Sequence, residues 1–252
     1  MFTDNTKLFR EIIVDQNDQN LIQEDLNTLF DWSKTWLLKF HPDKCKVLPV
    51  SGRNTTHEPP NYTMKKYEGG CTNLENVESE KDIGVTIDMN LSFANHIQNQ
   101  VNKANQILGL TRRSFVHLDN CTFTLLFKAL VRPNLEYANS IWSPYRKADI
   151  TSIETVQKRA TKMLPTMRDL PYEDRSRKLK LPTLRFRRLQ GDMIEVYKLL
   201  TGLYDTRVTN DLLEMHNTTK TTRGHSMKLM KQRSSLDLRK YFFTNRVVEQ
   251  PH

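Results

Sequence analysis

From Asn90 onward, apolar residues recur every three or four positions and hold that period for more than a hundred residues. Only an α-helix turns such spacing into one continuous apolar face. Phe93, Ile97, Val101, Ala104, Leu108 and Phe115 form the first stripe, with Ser92 placed as its N-cap. Phe123, Leu126, Phe127 and Leu130 predict a second, short helix, stopped near Arg132 by Pro133, which has no N–H to donate. Asn134 to Trp142 reads as a third. Asp149 opens a fourth, with Ile150, Ile153, Val156, Ala160 and Met163 inward, and Pro165 ends it. Pro171 suits the first turn of a short fifth helix. Thr183 caps a sixth, from Leu184 to about Leu200, with Gly202 at its C-terminal turn. Short, proline-marked connections of this kind build a helical bundle.

The first ninety residues lack that period. Ile12-Ile13-Val14 is a β-branched run suited to a strand. A helix is expected from Asp18 or Asn20, through Leu21, Ile22, Leu26, Leu29, Phe30, Trp36 and Leu37, to about Phe40. His41 precedes Pro42, a position that disfavours helix. Strands are expected at Cys45–Val50, Tyr62–Tyr67, around Val77 and at Ile83–Ile87, with a loop over Ser51–Asn61. The fold class is therefore α+β, mostly helical: a small antiparallel sheet followed by a helical bundle. Three parts are expected, at 1–90, 91–204 and 205–252. The last is basic and weakly periodic, and reads as a poorly packed tail.

Charge divides the chain at the same place. Residues 1–90 carry net −5, and residues 91–252 carry net +14. Such asymmetry points the basic part at a polyanion, nucleic acid first. No apolar run exceeds three residues, so no transmembrane helix and no membrane partner are expected. No apolar core of a secretory signal opens the chain. The three cysteines, Cys45, Cys71 and Cys121, form no C-x-x-C pair. Together these predict a reducing, intracellular location, nuclear or cytoplasmic. His41 and Cys45 are four apart, but Pro42 keeps them off a regular helix face, and no second pair completes a zinc site.

One turn-like stretch carries chemistry: Phe2-Thr3-Asp4-Asn5-Thr6-Lys7-Leu8-Phe9. A carboxylate between strands can hold a divalent cation, although two-metal phosphoryl transfer needs further carboxylates. The stretch resembles motif C of non-LTR retrotransposon reverse transcriptases, F/Y-A-D-D followed by T-K-L. Asp31-Trp32 to Trp36-Leu37-Leu38-Lys39-Phe40 and on to Lys44-Cys45-Lys46-Val47 is similar to that family's W-x-x-x-W-x-L-x-F-N-x-x-K-C segment. Lys81-Asp82-Ile83-Gly84-Val85-Thr86-Ile87-Asp88 resembles K-D-L-G-V-x-I-D, and Leu91-Ser92-Phe93 to His96-Ile97 resembles L-S-F-x-x-H-I. Further pieces follow in order: Leu130 to Ala138, Trp142 to Tyr145, Ile153 to Lys162, and Arg188 to Met193. Arg246-Val247-Val248 extends the likeness almost to the end of the chain.

The resemblance implies a palm remnant at 1–90 and a helical thumb at 91–204, taken from an RNA-directed DNA polymerase. It implies Mg²⁺ as the intact family's cofactor and an RNA–DNA or RNA template–primer duplex as partner. Asp4 matches the first motif C aspartate, as catalytic residue and metal ligand, while Asn5, a weaker ligand, replaces the second. The motif A aspartate, the fingers and most of the palm have no counterpart here, so the chain is expected to be truncated and inactive by itself. The thumb of this family packs on the duplex. Candidate phosphate contacts are Arg112, Arg113, Lys158, Arg159, Lys162, Arg185, Arg187 and Arg188. The Asp82–Val85 segment is expected near the primer terminus, with Gly84 allowing close approach. Trp142 is expected in the core, and Tyr145 is able to stack on bases. The alternative is a non-catalytic helical domain that binds nucleic acid or an acidic protein.

Overall fold

In a computed structural model, which describes residues 6–11, 16–50, 60–115, 117–209, 212–215 and 228–248, the chain divides into two units between Ser92 and Phe93. The expected strand at Ile12–Val14 and most of the Ser51–Asn61 loop lie outside the described residues. The mostly helical α+β class is what the structure has.

Among its described residues the first unit holds one α-helix, α1 (Gln16–Thr35), and three strand pairs. Strands β2 (Thr63–Lys65) and β3 (Cys71–Asn73) form an antiparallel hairpin. So do β5 (Ser79–Asp82) and β6 (Val85–Asp88). Strands β1 (Lys46–Val47) and β4 (Glu75–Asn76) pair in parallel, so the expected sheet is not wholly antiparallel. Parallel pairing requires a long crossover, and the β2–β3 hairpin lies within it. The inner face of α1 puts Phe30 against Tyr62, Met64 and Leu74, with Ile22, Leu26 and Val47 beside them. Gln23 extends the hairpin as a false strand: its Nε2 donates to the Thr63 carbonyl at 2.8 Å, and its Oε1 accepts the Thr63 N–H at 2.9 Å. Tyr67 fixes the end of the helix, with its hydroxyl 2.5 Å from Ser33 Oγ and accepting the Phe40 N–H at 2.9 Å.

The expected Ile83–Ile87 strand begins two residues late. Ile83 (φ 42°) and Gly84 (φ 82°) form the two-residue turn between β5 and β6, and both lie in the left-handed region. That is the requirement of a type I′ hairpin. Asp88, at the end of β6, then folds the next turn on itself. Its Oδ1 accepts the Asn90 and Ser92 N–H groups at 3.1 and 2.8 Å, and its Oδ2 accepts the Ser92 hydroxyl at 3.0 Å. Ser92 is therefore committed to Asp88, and Phe93, not Ser92, occupies the N-cap position of the following helix.

The second unit is helical. The long helix α2 (Ala94–Ser114) buries Ile97, Val101, Ala104 and Leu108, as its periodicity predicts; Phe115, past its end, is exposed. Helix α3 (Asn120–Leu126) does not stop before Pro133. It widens into a π-helical segment, Phe127–Val131, in which the Arg132 N–H reaches back five residues to the Phe127 carbonyl. The wider turn brings the chain to a register where Pro133 stands in the first turn of α4 (Arg132–Glu136), where no N–H is needed. The expected Asn134–Trp142 helix is broken by Ala138 at φ 53°, and α5 (Asn139–Trp142) restarts after it. Helices α6 (Lys147–Thr161), α7 (Tyr172–Lys178) and α8 (Leu184–Leu200) follow. Thr183 caps α8 by accepting the Phe186 N–H, and Gly202 (φ 70°) closes it with the Leu203 N–H on the Lys198 carbonyl.

The segment after residue 204 is not uniformly loose. Beyond α9 (Thr206–Thr209), the short helices α10 (Asp237–Lys240) and α11 (Phe243–Arg246) bring Asn245, Arg246 and Val247 into the interior. The anchor is electrostatic. Arg246 Nε and Nη2 donate to the two oxygens of Asp192 at 3.0 and 2.9 Å, and Nη2 also donates to the Asn139 and Ser140 carbonyls. Asn139 Nδ2 donates to Asp192 Oδ1 and to the Arg188 carbonyl. A planar guanidinium gripped by both carboxylate oxygens is the strong form of this bond.

Candidate nucleic-acid interface

The eight candidate phosphate ligands all lie in the helical unit, and the structure sorts them into two groups. Helix α6 turns Ile153, Val156 and Ala160 inward, which leaves Lys158 and Arg159 on its outer side and Lys162 just past its end; all three are exposed. Lys158 Nζ stands 5.4 Å from the centre of the Tyr172 ring. Arg159 and Lys162 make no ion pair among the described residues. Arg112 and Arg113 occupy the last turn of α2, and Arg185 the first turn of α8; these too are exposed and without an ion pair among the described residues. Six cations are thus presented to solvent.

Arg187 and Arg188 belong to the fold. Arg187 grips Glu136 through Nε and Nη2, both at 3.0 Å, and this bond raises the guanidinium's pKa further. Arg132 approaches the same carboxylate at 3.5 Å. Arg188 is only 5% exposed. Burial lowers its pKa, and the fields of Glu154, Asp192 and Glu136 oppose that shift. Arg187 is thus tied to Glu136 and Arg188 is withdrawn from solvent, unlike the other six candidates. Tyr145 is also engaged: its ring stacks on Tyr241, centroids 4.8 Å apart and nearly parallel. Trp142 is core, and its indole N–H donates to the Tyr137 carbonyl.

Sequence reasoning missed the carboxylates that organise this unit, Glu136 on Arg187 among them. Glu154 is the busiest. Its Oε1 accepts the Tyr172 hydroxyl at 2.6 Å, and its two oxygens accept the Leu184 and Arg185 N–H groups at the start of α8. A carboxylate there satisfies orphan donors and complements the helix dipole. Gln157, fully buried, bridges Tyr172 and the Pro182 carbonyl. Asp192 and Arg246 were both visible as members of family-like segments, but nothing local ties them across 54 positions.

Asp4 and Asn5 lie outside the described residues. Among the described residues no three His, Cys, Asp or Glu side chains converge to hold a cation. Nor is any helix among them long and apolar enough to cross a membrane.

Over 156 residues the chain is 28% identical to a probable RNA-directed DNA polymerase from transposon BS of Drosophila melanogaster. That relationship is to a reverse transcriptase. The match covers 60% of this chain and 16% of that protein. No family model and no solved structure matches.

Proposed function

We propose that the helical unit is a thumb-like nucleic-acid-binding module of reverse-transcriptase descent, which holds a template–primer duplex through its phosphates. The observation that carries this reading is the set of six exposed cations, Arg112, Arg113, Lys158, Arg159, Lys162 and Arg185, within a part of the chain at net +14. Cations without a carboxylate partner are free to displace counterions from a phosphate backbone. The likeness to a transposon RNA-directed DNA polymerase supplies the class of polyanion. In this reading the first unit is a palm remnant and its β5–β6 hairpin lies toward the primer end. By itself the chain binds and does not polymerise, because Asn5 stands where the resemblance asks for the second carboxylate. A primer-extension assay yielding templated product that disappears on Asp4→Ala would overturn that last point.

The binding test is fluorescence anisotropy of a labelled RNA–DNA duplex over a salt series. Each phosphate contact contributes about 0.9 to the slope of log K against log salt. Lys158→Gln/Arg159→Gln/Lys162→Gln is expected to reduce the slope by about 2 to 3 and to weaken binding at every sequence. Equal slopes for the two proteins, or equal affinity for heparin and the duplex, would remove the reading.

A further inference from the structure

The last turns of α2 carry an apolar face that the helical unit leaves open. Ile107, Leu110, Thr111 and Ser114 share it at helical spacing, Phe115 continues it just past the helix end, and Leu130 of the π-helical segment stands opposite. These residues line a groove of about 320 Å³. Leu110, Phe115 and Leu130 are 55%, 41% and 47% exposed. The lining offers two hydroxyls, and one is already committed: Thr111 Oγ1 donates to the Ile107 carbonyl at 2.9 Å. The π-turn that carries Leu130 is a departure from regular helix that is frequent at functional sites.

Charge around the groove has one sign. Neither α2 nor residues 120–131 contain a carboxylate, and the adjacent Asp119 is engaged in capping α3. Lys103 stands one turn before Ile107, and Arg113 three residues after Leu110. Both are exposed and without an ion pair among the described residues. Such a groove suits an occupant with apolar side chains on one face and carboxylates at its edges. A nucleobase fits it poorly, because the donors and acceptors on its rim would be dried against leucines, with Ser114 alone to answer them. An α-helix bonds its own backbone groups and docks by apolar anchors at i, i+3 or i+4, and i+7. Ile107 to Phe115 spans about 12 Å at the helical rise, and anchors seven residues apart span about 10.5 Å.

We infer that the groove between α2 and the π-helical segment is a docking site for an acidic amphipathic helix of a partner protein. It uses apolar side chains that the phosphate-binding reading leaves idle, and the test keeps the two apart. The probe is a fluorescein-labelled peptide of about five helical turns, with leucine at i, i+4, i+7 and i+11 and glutamate on the flanks. One control holds the same residues in an order that abolishes the stripe, and another keeps the stripe but carries lysine in place of glutamate. In fluorescence anisotropy with the full chain, the acidic amphipathic peptide is expected to bind about tenfold or more tightly than either control. Leu110→Gln/Leu130→Gln, both at exposed positions, should abolish that preference and leave the circular dichroism and the affinity for an RNA–DNA duplex unchanged. Equal binding of the reordered peptide overturns the site, because charge alone would then attract. Tight binding by the double variant, or no binding of the acidic peptide by the folded wild type, overturns it as well. Preference for the lysine-flanked peptide removes the acidic partner. Loss of affinity for a single-stranded oligonucleotide in the double variant, with peptide binding intact, gives the groove to a base and ends the proposal.

Discussion

The two units solve the problem of a small core differently. The strand-bearing unit gathers Phe30, Tyr62, Met64 and Leu74 under one helix and leaves Trp32, Trp36, Leu37 and Leu38 exposed. Among the described residues its strands are two to four residues long and pair two by two, an arrangement that is marginal without packing on a helix. The helical unit buries apolar stripes from several helices and then adds charge to its interior: Asp192, Arg188 and Arg246 are all buried. A buried ion pair is a poor source of net stability, yet losing one partner is severe, because the other is left charged and dry. The first unit should therefore respond to lost apolar volume, and the second to lost charge.

The largest effect is expected from Arg246→Ala. It strands the Asp192 carboxylate and frees the last described helix, at a cost of about 3–5 kcal/mol to the helical unit. Thermal unfolding of the full chain, followed by circular dichroism, should show the helical transition falling by many degrees. Asp192→Leu/Arg246→Leu should recover most of it, since no uncompensated charge remains. A double variant as unstable as the single would break the argument from charge. Next is Phe30→Ala in the strand unit, at about 3 kcal/mol for an aromatic ring that is wholly buried. In a Trp142→Phe background, fluorescence from Trp32 on α1 and Trp36 just past its end should report that unit's unfolding while the helical unit keeps its own midpoint. A common loss in both units would erase the distinction between them.

How far this division was legible in the sequence follows from the range of the interactions. The stripes of α2, α6 and α8 were readable because helical packing repeats within a few residues. The break at Pro133 was misjudged because a π-turn places a proline where its missing N–H costs nothing. The docked segment around Arg246 escaped notice because α10 and α11 have four residues each, too few to show a period. Arg187 and Arg188 sit on a helix otherwise similar to one that presents its cations outward. Arg187 is held by Glu136, 51 positions away, and Arg188 is buried on the inner face of α8. The exposed cations on α6 were legible for the opposite reason: they depend only on which face of that one helix is apolar.

Alkaline pH offers a milder probe of the same contrast. Burial, and the hydrogen bond from its hydroxyl to Glu154, raise the pKa of Tyr172 far above the usual phenol value. The unfolded chain releases that proton near pH 10 and the folded protein does not. The contribution of Tyr172 is therefore complete below about pH 10 and is lost as pH climbs toward the folded value. Tyr172→Phe should lower the helical unit's midpoint at pH 8, by loss of the Glu154 bond, and flatten its decline between pH 9 and 11. A decline as steep as that of the wild type would assign the alkaline sensitivity to other groups.

The smallest effect has the opposite sign and falls in the strand unit. Ile83 is 71% exposed at the tip of the β5–β6 hairpin, with φ at +42°, where a β-branched side chain crowds its own backbone. Such a conformation costs about 1 kcal/mol or more, and asparagine tolerates it at the first position of a type I′ turn followed by glycine. Ile83→Asn should therefore raise the strand unit's stability by about 1 kcal/mol, read as a higher midpoint in tryptophan fluorescence. The helical unit's transition should not move. If the substitution destabilises instead, the isoleucine side chain is packed against something that outweighs its backbone strain. The hairpin tip would then be a contact surface, and the strand unit would owe its stability to more than the small cluster around Phe30.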